Sequence, residues 1–218
     1  MIDISVILFY NNPRKWLNEA RQSYHNQEFS GRSELIEICK NQSTAENLND
    51  GFKRARGKYV KYLCDDDMLL PGCLQSLYDH AEQTNADVVC AGALNHNIEI
   101  GQATEYFSKI PKTVSELAEQ NTIHGGTTLF KRSALIAVNY LDESLPYGEE
   151  YDLYLRLAVA GFKFSELNKI VYYYRIHNEM KSMQARVDNG ETYINRKRII
   201  LHQIQERYQN TKVTIKVT

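Results

Sequence analysis

The chain has 218 residues, of which 43% are hydrophobic and 24% charged, a composition that supports a sizeable core and excludes an intrinsically disordered protein. Its formal net charge of −1 excludes the strongly basic surface that nucleic acid requires, so no nucleic-acid partner is expected. The four cysteines lack the two-residue spacing of a zinc or redox pair, and there is no secretory leader or long apolar run. We therefore expect a cytoplasmic protein with free thiols.

The first predicted unit is a strand over residues 2–9 followed by a helix over residues 16–24. β-branched and apolar residues cluster in the strand, which breaks at the polar residues before Pro13, and helical spacing of apolar residues follows. So early a strand is expected at the centre of the sheet.

A second strand and helix are predicted over residues 34–39 and from Ser43 or Thr44 to residue 56, with Gly57 as the helix stop. A third strand over residues 58–63 leads straight into three aspartates at 65–67. This alternation predicts an α/β sandwich, with a mostly parallel central sheet flanked by helices. In such sheets, ligands bind beyond the carboxyl ends of the strands.

The later elements alternate less regularly. The pattern predicts helices over residues 72–83, 115–120, 149–160 and 191–208, and strands over residues 87–91, 125–130 and 170–175. The pattern weakens between residues 95 and 111. No Walker loop or dinucleotide glycine fingerprint is present.

Asp65, Asp66 and Asp67 form the most informative motif of the sequence. Three consecutive carboxylates repel one another unless a positive group neutralises them, and hard oxygen ligands suit Mg²⁺ or Mn²⁺. A solvated acidic turn before the helix at Pro71 explains the same residues about equally well, because aspartate also favours a helix N-terminus. The triplet alone leaves both interpretations open.

Five segments carry a resemblance to a known family. They are ISVILFYNN (4–12), GKYVKYLCDDDMLLPGCL (57–74), HGGTTLFKRSAL (124–135), GEEYDLYLRLAVAGFKF (148–164) and VYYYRIHNEMKS (171–182). In this order and spacing the chain resembles the family 2 glycosyltransferases, inverting enzymes of the GT-A (Rossmann-like nucleotide-diphospho-sugar transferase) fold. The resemblance implies a GT-A domain over residues 1–182. It leaves residues 183–218 as a C-terminal helical extension that packs on the domain or leads to a partner.

The resemblance implies a donor site with a cation at the Asp-x-Asp region. It makes Asp66 the first metal ligand, Asp67 the second candidate, and Asp65 a ribose contact or a further ligand of Mn²⁺ or Mg²⁺. His177 would touch the metal or the diphosphate. The expected donor contacts are Phe9, Tyr10, Asn11, Asn41, Asp65, Asp66, His124 and Arg175. The acidic pair that relatives carry after the second strand is replaced here by residues 40–43, which leaves the base open between uridine, the first choice, and guanosine.

The resemblance also implies an acceptor site with a carboxylate base. An inverting transfer requires a group that takes the acceptor hydroxyl's proton, and Glu150 stands at that position, with Glu149 directly before it. The alternative interpretation is that both glutamates only stabilise the first turn of a helix, where acidic side chains are favourable. His124 and the two glycines after it form either the acceptor floor or a tight turn into a strand. The processive Gln-x-x-Arg-Trp motif is absent after Arg156, which implies single, hexosyltransferase-like transfers.

The acceptor implied by the resemblance is a glycan, a lipid-linked molecule or a protein, and an oligomer is compatible with the sequence. The basic C-terminal segment around Arg196 to Arg198 predicts packing on the domain or a partner, or else peripheral membrane contact. A non-catalytic module that binds a sugar nucleotide or glycan is the main alternative. A nucleotidyltransferase is a weaker one, because no glycine- and lysine-rich phosphate loop follows the first strand.

Overall fold

The computed structural model describes the backbone of all 218 residues and the side chains of residues 1–180 and 195–218. Its helices are α1 (Leu17–His25), α2 (Thr44–Arg54), α3 (Cys73–Thr84), α4 (Val114–Glu119), α5 (Arg132–Ala137), α6 (Glu149–Val159) and α7 (Lys181–Tyr208). Its strands are β1 (Ile4–Tyr10), β2 (Ser33–Cys39), β3 (Tyr59–Cys64), β4 (Met68–Leu69), β5 (Val88–Asn97), β6 (Gln102–Phe107), β7 (Leu129–Lys131), β8 (Lys163–Ile176) and β9 (Lys216–Val217). A 3-10 helix spans Gly125–Thr127.

These strands form one sheet in the order β2-β1-β3-β7-β5-β8-β4, with β6 beside β5 and β9 beside β8. Parallel pairings of β1 with β2 and β3, and of β5 with β8, hold most of the paired residues. The predicted mostly parallel α/β sheet is therefore confirmed, although β4, β6 and β7 pair antiparallel. β1 lies one strand in from the edge strand β2, not at the centre, because the chain continues the sheet only on its β3 side.

Helices cover both faces of this sheet. Successive side chains of a strand point to opposite faces of the sheet. In β1, Ile7 therefore packs in the buried cluster on one face, whereas Val6 and Leu8 pack in the cluster on the other. The first cluster includes Phe52 of α2, and the second includes Leu77 of α3. Burying a side chain of this size contributes roughly 1.5–3 kcal/mol, so this double layer fixes the position of the strand ends.

Helix α2 begins at a capping box, as the serine at its start predicts. Ser43 accepts the backbone N–H of Glu46, and the Glu46 side chain accepts the N–H of Ser43. The predicted stop at Gly57 is wrong, since the helix ends at Arg54. Gly57 instead lies against β1, where a β-carbon would come within 2.5 Å of the Ser5 nitrogen.

Two other expectations differ from the structure. Residues 125–127 form a 3-10 helix, so the strand predicted from residue 125 is confined to β7, because Thr127 and Thr128 turn back onto the carbonyls of His124 and Gly125. Between residues 95 and 111, where the sequence pattern is weak, the structure contains the end of β5 and the hairpin that joins it to β6. The first four residues of β6 are exposed, so no alternation of buried side chains marks it.

The chain beyond α7 returns to the sheet. β9 pairs with the start of β8, the backbone of Ile215 donates to the Lys112 carbonyl, and the side chain of Ile215 is buried. Helix α7 begins at Lys181, two residues before the expected start of the C-terminal extension. No helix within the described part of the chain combines the length and the apolar character needed to cross a membrane.

Candidate active site

The carboxyl ends of the first three strands lie side by side at one edge of the sheet. Tyr10 of β1 pairs with Cys39 of β2, and Phe9 pairs with Cys64 of β3. The polar residues after these strands therefore emerge at a common edge, where ligands of α/β sheets bind. This register brings the expected donor contacts of β1 next to Asp65.

The expected base and ribose contacts lie within a polar network at this edge. Tyr10 donates its hydroxyl to Glu37 at 3.1 Å. Asn11 donates to the Gln42 carbonyl at 3.0 Å and accepts from Asn47 at 2.7 Å. Asn41 is exposed in the same loop. Phe9 faces inward instead, with its ring 6.1 Å from that of Tyr62.

Arg14 neutralises two carboxylates of the acidic triplet. Its guanidinium lies 2.7 Å from Asp65 Oδ1 and 2.9 Å from Asp66 Oδ2, and its backbone N–H donates to Asp65 Oδ2 at 3.0 Å. Both aspartates are buried, whereas the Arg14 side chain is 28% exposed. An arginine from the loop after β1 thus supplies part of the positive charge that the triplet needs.

Asp67 is held by the closing strand β8. Its Oδ2 accepts the Tyr172 hydroxyl at 2.9 Å, and its Oδ1 accepts the backbone N–H of Arg175 at 2.8 Å. Burial, and then the charge of Asp66, raises the pKa of Asp67 well above its usual value. The same two causes raise the pKa of Asp65, against the opposing effect of Arg14.

Asp66 lies against His177, whose Nδ1 accepts the backbone N–H of Glu179 at 3.1 Å. Asp66 Oδ2 lies 3.2 Å from His177 Nε2, and the His177 ring packs on Trp16 with 4.3 Å between ring centroids. Asp66 also belongs to a group with Cys64 and Asp67 whose ligand atoms all lie within 4.8 Å of one another.

The residues present fit a hard divalent cation held by few protein ligands. Asp67 is already committed to two protein donors, and burial raises the pKa of the Cys64 thiol well above its usual value, which keeps it protonated. Asp66 also accepts from Arg14, through Oδ2 alone. A cation that few protein oxygens hold suits Mn²⁺ or Mg²⁺ completed by phosphate oxygens and water.

Arg175 contacts other protein residues at this edge of the sheet. Its guanidinium donates to the Asp66 carbonyl at 2.8 Å and to Glu19 at 2.7 Å, and it lies over the Trp16 ring at 4.9 Å. The side chain is 4% exposed. Its predicted contact with the donor stays a prediction, and the visible contacts hold the triplet against α1.

Glu150 opens helix α6 and accepts a hydrogen bond from the hydroxyl of Tyr62 on β3. Burial, and then the charge of Glu149, raises the pKa of Glu150 to about 7. Gly125 lies against both partners, since a β-carbon there would come within 2.7 Å of Glu150 Oε1. A carboxyl poised near neutral pH at a pocket has the acid strength suited to a general base.

The charges of the acidic triplet and of Glu150 all act on Cys64. The charges of Asp67, Asp66, Glu150 and Asp65 all add to the effect of burial on its pKa, in that order of size. The fold thus brings the acidic triplet near Glu150, although more than eighty positions separate them in the sequence.

His124 lies in an aromatic setting beside Gly125. Its ring is 5.0 Å from that of Tyr174 and 6.0 Å from those of Tyr106 and Tyr172. Burial lowers the pKa of His124 to about 4, so the imidazole is neutral at pH 7, and its buried Nδ1 has no hydrogen-bond partner among the described residues.

A cavity of about 320 Å³ opens at Glu150. Glu150 and Tyr151 line one side, and Lys197, Leu201 and Gln205 of α7 line another. A larger cavity of about 480 Å³ lies between α2, the loop before α6 and Arg156, and it contains none of the predicted site residues. The smaller cavity is the better candidate for substrate because it reaches the base.

Several residues of this site were not predicted from the sequence. Arg14 and Tyr62 contact predicted residues directly, and buried Lys61 donates to the Gly126 carbonyl at 2.5 Å and fixes the turn beside Glu150. A lysine on a buried strand is an unusual signal, since burial disfavours its charge and lowers its pKa. Arg14 and Tyr62 gave no such signal, because their partners are distant in sequence.

An α/β sheet with an acidic cluster at its strand ends and a cavity nearby has the arrangement in which such folds bind ligands beyond the carboxyl ends of the strands. The family described as Glycosyl transferase family 2 matches residues 3–138. The chain belongs to glycosyltransferase family 2.

The chain is also similar to individual proteins. It is 26% identical over 212 residues to the uncharacterized glycosyltransferase MJ1057 of Methanocaldococcus jannaschii, covering 80% of this chain and 71% of the relative. It is 24% identical over 161 residues to the minor teichoic acid biosynthesis protein GgaA of Bacillus subtilis, covering 72% of this chain but 35% of that protein. The chain thus spans most of one relative and about a third of the other.

Solved structures share the fold. The crystal structure of S. aureus TarS 1-349 in complex with UDP-GlcNAc superposes with a TM-score of 0.65 at 14% identity, covering 96% of this chain and 72% of that one. A structure of S. aureus TarS gives a TM-score of 0.63 at 15% identity, covering 97% and 44%. At this identity the likeness bears on the fold alone, which is GT-A.

Proposed function

We propose that this protein transfers a single sugar from a nucleotide-diphosphate sugar to an acceptor hydroxyl, with inversion and with the help of a divalent cation. One observation carries the proposal: Glu150 has a pKa raised to about 7, lines a cavity, and lies near enough to the acidic triplet that its charge and that of Asp66 both act on Cys64. Family membership supports the same reaction class.

In the proposed reaction, Glu150 takes the proton of the acceptor hydroxyl. Tyr62 donates to Oε1 of Glu150, which orients the carboxylate and leaves Oε2 free to accept that proton. The acceptor oxygen then bonds to the sugar's anomeric carbon while the bond from that carbon to the diphosphate breaks. The electron pair of the broken bond leaves with the diphosphate.

Asp66 and His177 would hold Mn²⁺ or Mg²⁺, with Asp65 and Asp67 as neighbouring carboxylates. When bound, the cation stabilises the negative charge of the departing diphosphate, an effect of several kcal/mol in comparable sites. Arg14 holds Asp65 and Asp66 at their positions, and Asp67 is oriented by Tyr172 and by the backbone of Arg175.

The proposed donor is a uridine diphosphate sugar, with a guanosine diphosphate sugar as the alternative. The structural relative TarS was crystallised with UDP-GlcNAc and with UDP, which favours the uridine nucleotide. Tyr10, Asn11 and Asn41 border the proposed base and ribose site. The proposed location is the cytoplasm or the cytoplasmic face of the membrane, where a glycan, a lipid-linked molecule or a protein serves as acceptor.

Thermal denaturation with a panel of nucleotide sugars, in Mn²⁺ and in EDTA, tests the donor and the cation together. The correct donor should raise the unfolding temperature only with the cation present, because selective binding stabilises the folded state by mass action. If no nucleotide sugar does so, the transferase proposal is wrong.

Glu150→Gln separates an enzyme from a binding module. The variant should keep donor binding while transfer falls by roughly 10²- to 10⁴-fold, the usual contribution of a general base. In the wild type, kcat/KM should fall about tenfold per pH unit below pH 7, as Glu150 becomes protonated. Donor binding without any turnover in the wild type would favour the non-catalytic module instead.

A further inference from the structure

The cavity at Glu150 has a wall contributed by the C-terminal helix α7. Lys197, Leu201 and Gln205 follow one another at four-residue intervals, so they share one face of the helix, and all three line the cavity. A substrate that places its hydroxyl at Glu150 therefore meets this face of α7.

This part of α7 is fixed to the domain. Ile204 is fully buried, and Gln205 donates to the carbonyl of Glu119 in α4 at 3.2 Å. At the helix end, Ser115 donates to the Gln209 carbonyl at 2.6 Å, and the backbone of Val114 donates to that of Val213 at 2.9 Å. The cavity wall is thus a built part of the fold.

The described C-terminal part of α7 is rich in basic residues. Residues 195–208 include Arg196, Lys197, Arg198 and Arg207 but Glu206 as their only acid. Lys197 is the one cation of the four that lines the cavity, and it is partly buried. It forms no ion pair with any carboxylate among the described side chains, and Glu150 is perturbed by burial and Glu149 rather than by this lysine. Its ammonium is therefore available to a ligand.

We propose that the acceptor carries an anionic oxygen group, a phosphate or a carboxylate, and that Lys197 binds this group while Glu150 takes the proton of a nearby hydroxyl. The inference rests on the proposed transfer reaction and names the class of its acceptor. Lysine suits this task as a point charge for phosphate or carboxylate. Lys197 is a specificity-determining residue at the acceptor end of the cavity.

Three small probes with one carbon skeleton test the proposal: glycerol, glycerol 3-phosphate and glycerate. Their binding to the full chain is measured by saturation-transfer NMR with uridine diphosphate and Mg²⁺ present. An anionic probe should bind at least about threefold more tightly than glycerol, and Lys197→Gln should remove that preference, consistent with the worth of a partly exposed ion pair. Preference for glycerol 3-phosphate alone identifies phosphate, and preference for glycerate alone identifies carboxylate.

Two variants control for charge and folding. Arg198→Gln makes the same change of net charge on an exposed neighbour that does not line the cavity, and it should keep the preference. Lys197→Arg should also keep it. The proposal is overturned if the wild type binds glycerol as well as the anions, or if Arg198→Gln and Lys197→Gln lose the preference equally.

Hydrolysis of the nucleotide sugar in the absence of acceptor separates this inference from the proposed function. The wild type should hydrolyse the correct donor with no anion present, because water needs no anion site. Normal hydrolysis with no anion preference refutes only the acceptor inference. Anion binding through Lys197 without consumption of any nucleotide sugar refutes the proposed function and leaves an anion site.

Discussion

Glu150 lies in surroundings that disfavour its ionised form, so the folded protein is less stable when this carboxyl is ionised. Its pKa in the folded protein is about 7, against an ordinary value of 4.5, so folding favours the neutral carboxyl. The neutral form's contribution to stability is complete below pH 4.5 and is lost as the pH rises through 7. At the pH where a base must be ionised, this residue therefore destabilises the fold.

Replacing Glu150 with Gln should stabilise the protein at pH 8 by about 1–3 kcal/mol and change little at pH 4, because the amide stays neutral at both values. Thermal denaturation at the two pH values measures the difference. Glu105→Gln, on the exposed part of β6, is the matched control and should show no such dependence. Equal effects of Glu150→Gln at both pH values would contradict the raised pKa.

Arg14 links the acidic triplet to the loop after β1. Arg14→Gln should lower stability in EDTA by about 1–3 kcal/mol, less than for a fully buried pair because the arginine is 28% exposed. Mn²⁺ should then restore more stability than it adds to the wild type, since a cation replaces the lost charge. Chemical denaturation with and without Mn²⁺ measures this. Arg21→Gln, which breaks the pair with Glu37 elsewhere, should gain nothing from Mn²⁺.

At the level of elements, the 3-10 helix at Gly125–Thr127 sets the floor beneath Glu150. The absence of side chains at its two glycines lets Tyr62, Glu150 and the Tyr172 ring pack directly against its backbone. Lys61 donates a hydrogen bond to the Gly126 carbonyl, which fixes the position of this 3-10 helix. Close approach of the backbone therefore explains both glycines.

Gly125→Ala should displace Glu150 or Tyr62, because the new β-carbon would lie 2.7 Å and 2.8 Å from the two Glu150 oxygens. A displaced catalytic group of this kind reduces turnover by about 10²-fold. The loss should appear in kcat, with the fold retained by circular dichroism. Gly101→Ala is the contrast for activity, since nothing lies within 4 Å of its added β-carbon, and transfer there should stay normal.

At the scale of the whole molecule, the C-terminal residues add a strand to the sheet and hold α7, which lines the cavity at Glu150, against the domain. β9 pairs with β8, and Ile215 buries its side chain in the cluster that also contains Ile204 of α7. Stability of the sheet edge and placement of α7 are therefore coupled. Loss of this contact should affect both.

Ile215→Ala should destabilise the protein by about 2–5 kcal/mol, the usual result of emptying a buried isoleucine site. Urea denaturation measures the free energy of unfolding. Ile199→Ala, at a side chain that is 56% exposed, is the control and should change it by less than about 0.5 kcal/mol. If the two variants behave alike, the chain end does not pack as described.

The sheet layers, the capped start of α2 and the acidic strand end were predictable because each depends on neighbours in sequence. The predicted strand at 125–130 began four residues too early, because residues 125–127 form a 3-10 helix that packs against Lys61 and Tyr62, about sixty positions away. β6 was missed because an exposed strand carries no buried alternation. The predicted roles of Asp65, Asp66, Asp67, His177 and Glu150 stay predictions, now with defined partners.

The sequence by itself determined the family, the α/β class and the carboxylates from which a site can be built, since strand periodicity and local motifs are properties of adjacent residues. Only the tertiary structure decided that Arg14 neutralises the triplet, that Tyr62 orients Glu150, and that α7 forms a wall of the cavity. These contacts join residues far apart along the chain. Burial against those distant partners shifts the pKa values of these residues away from the values that residue type alone would give.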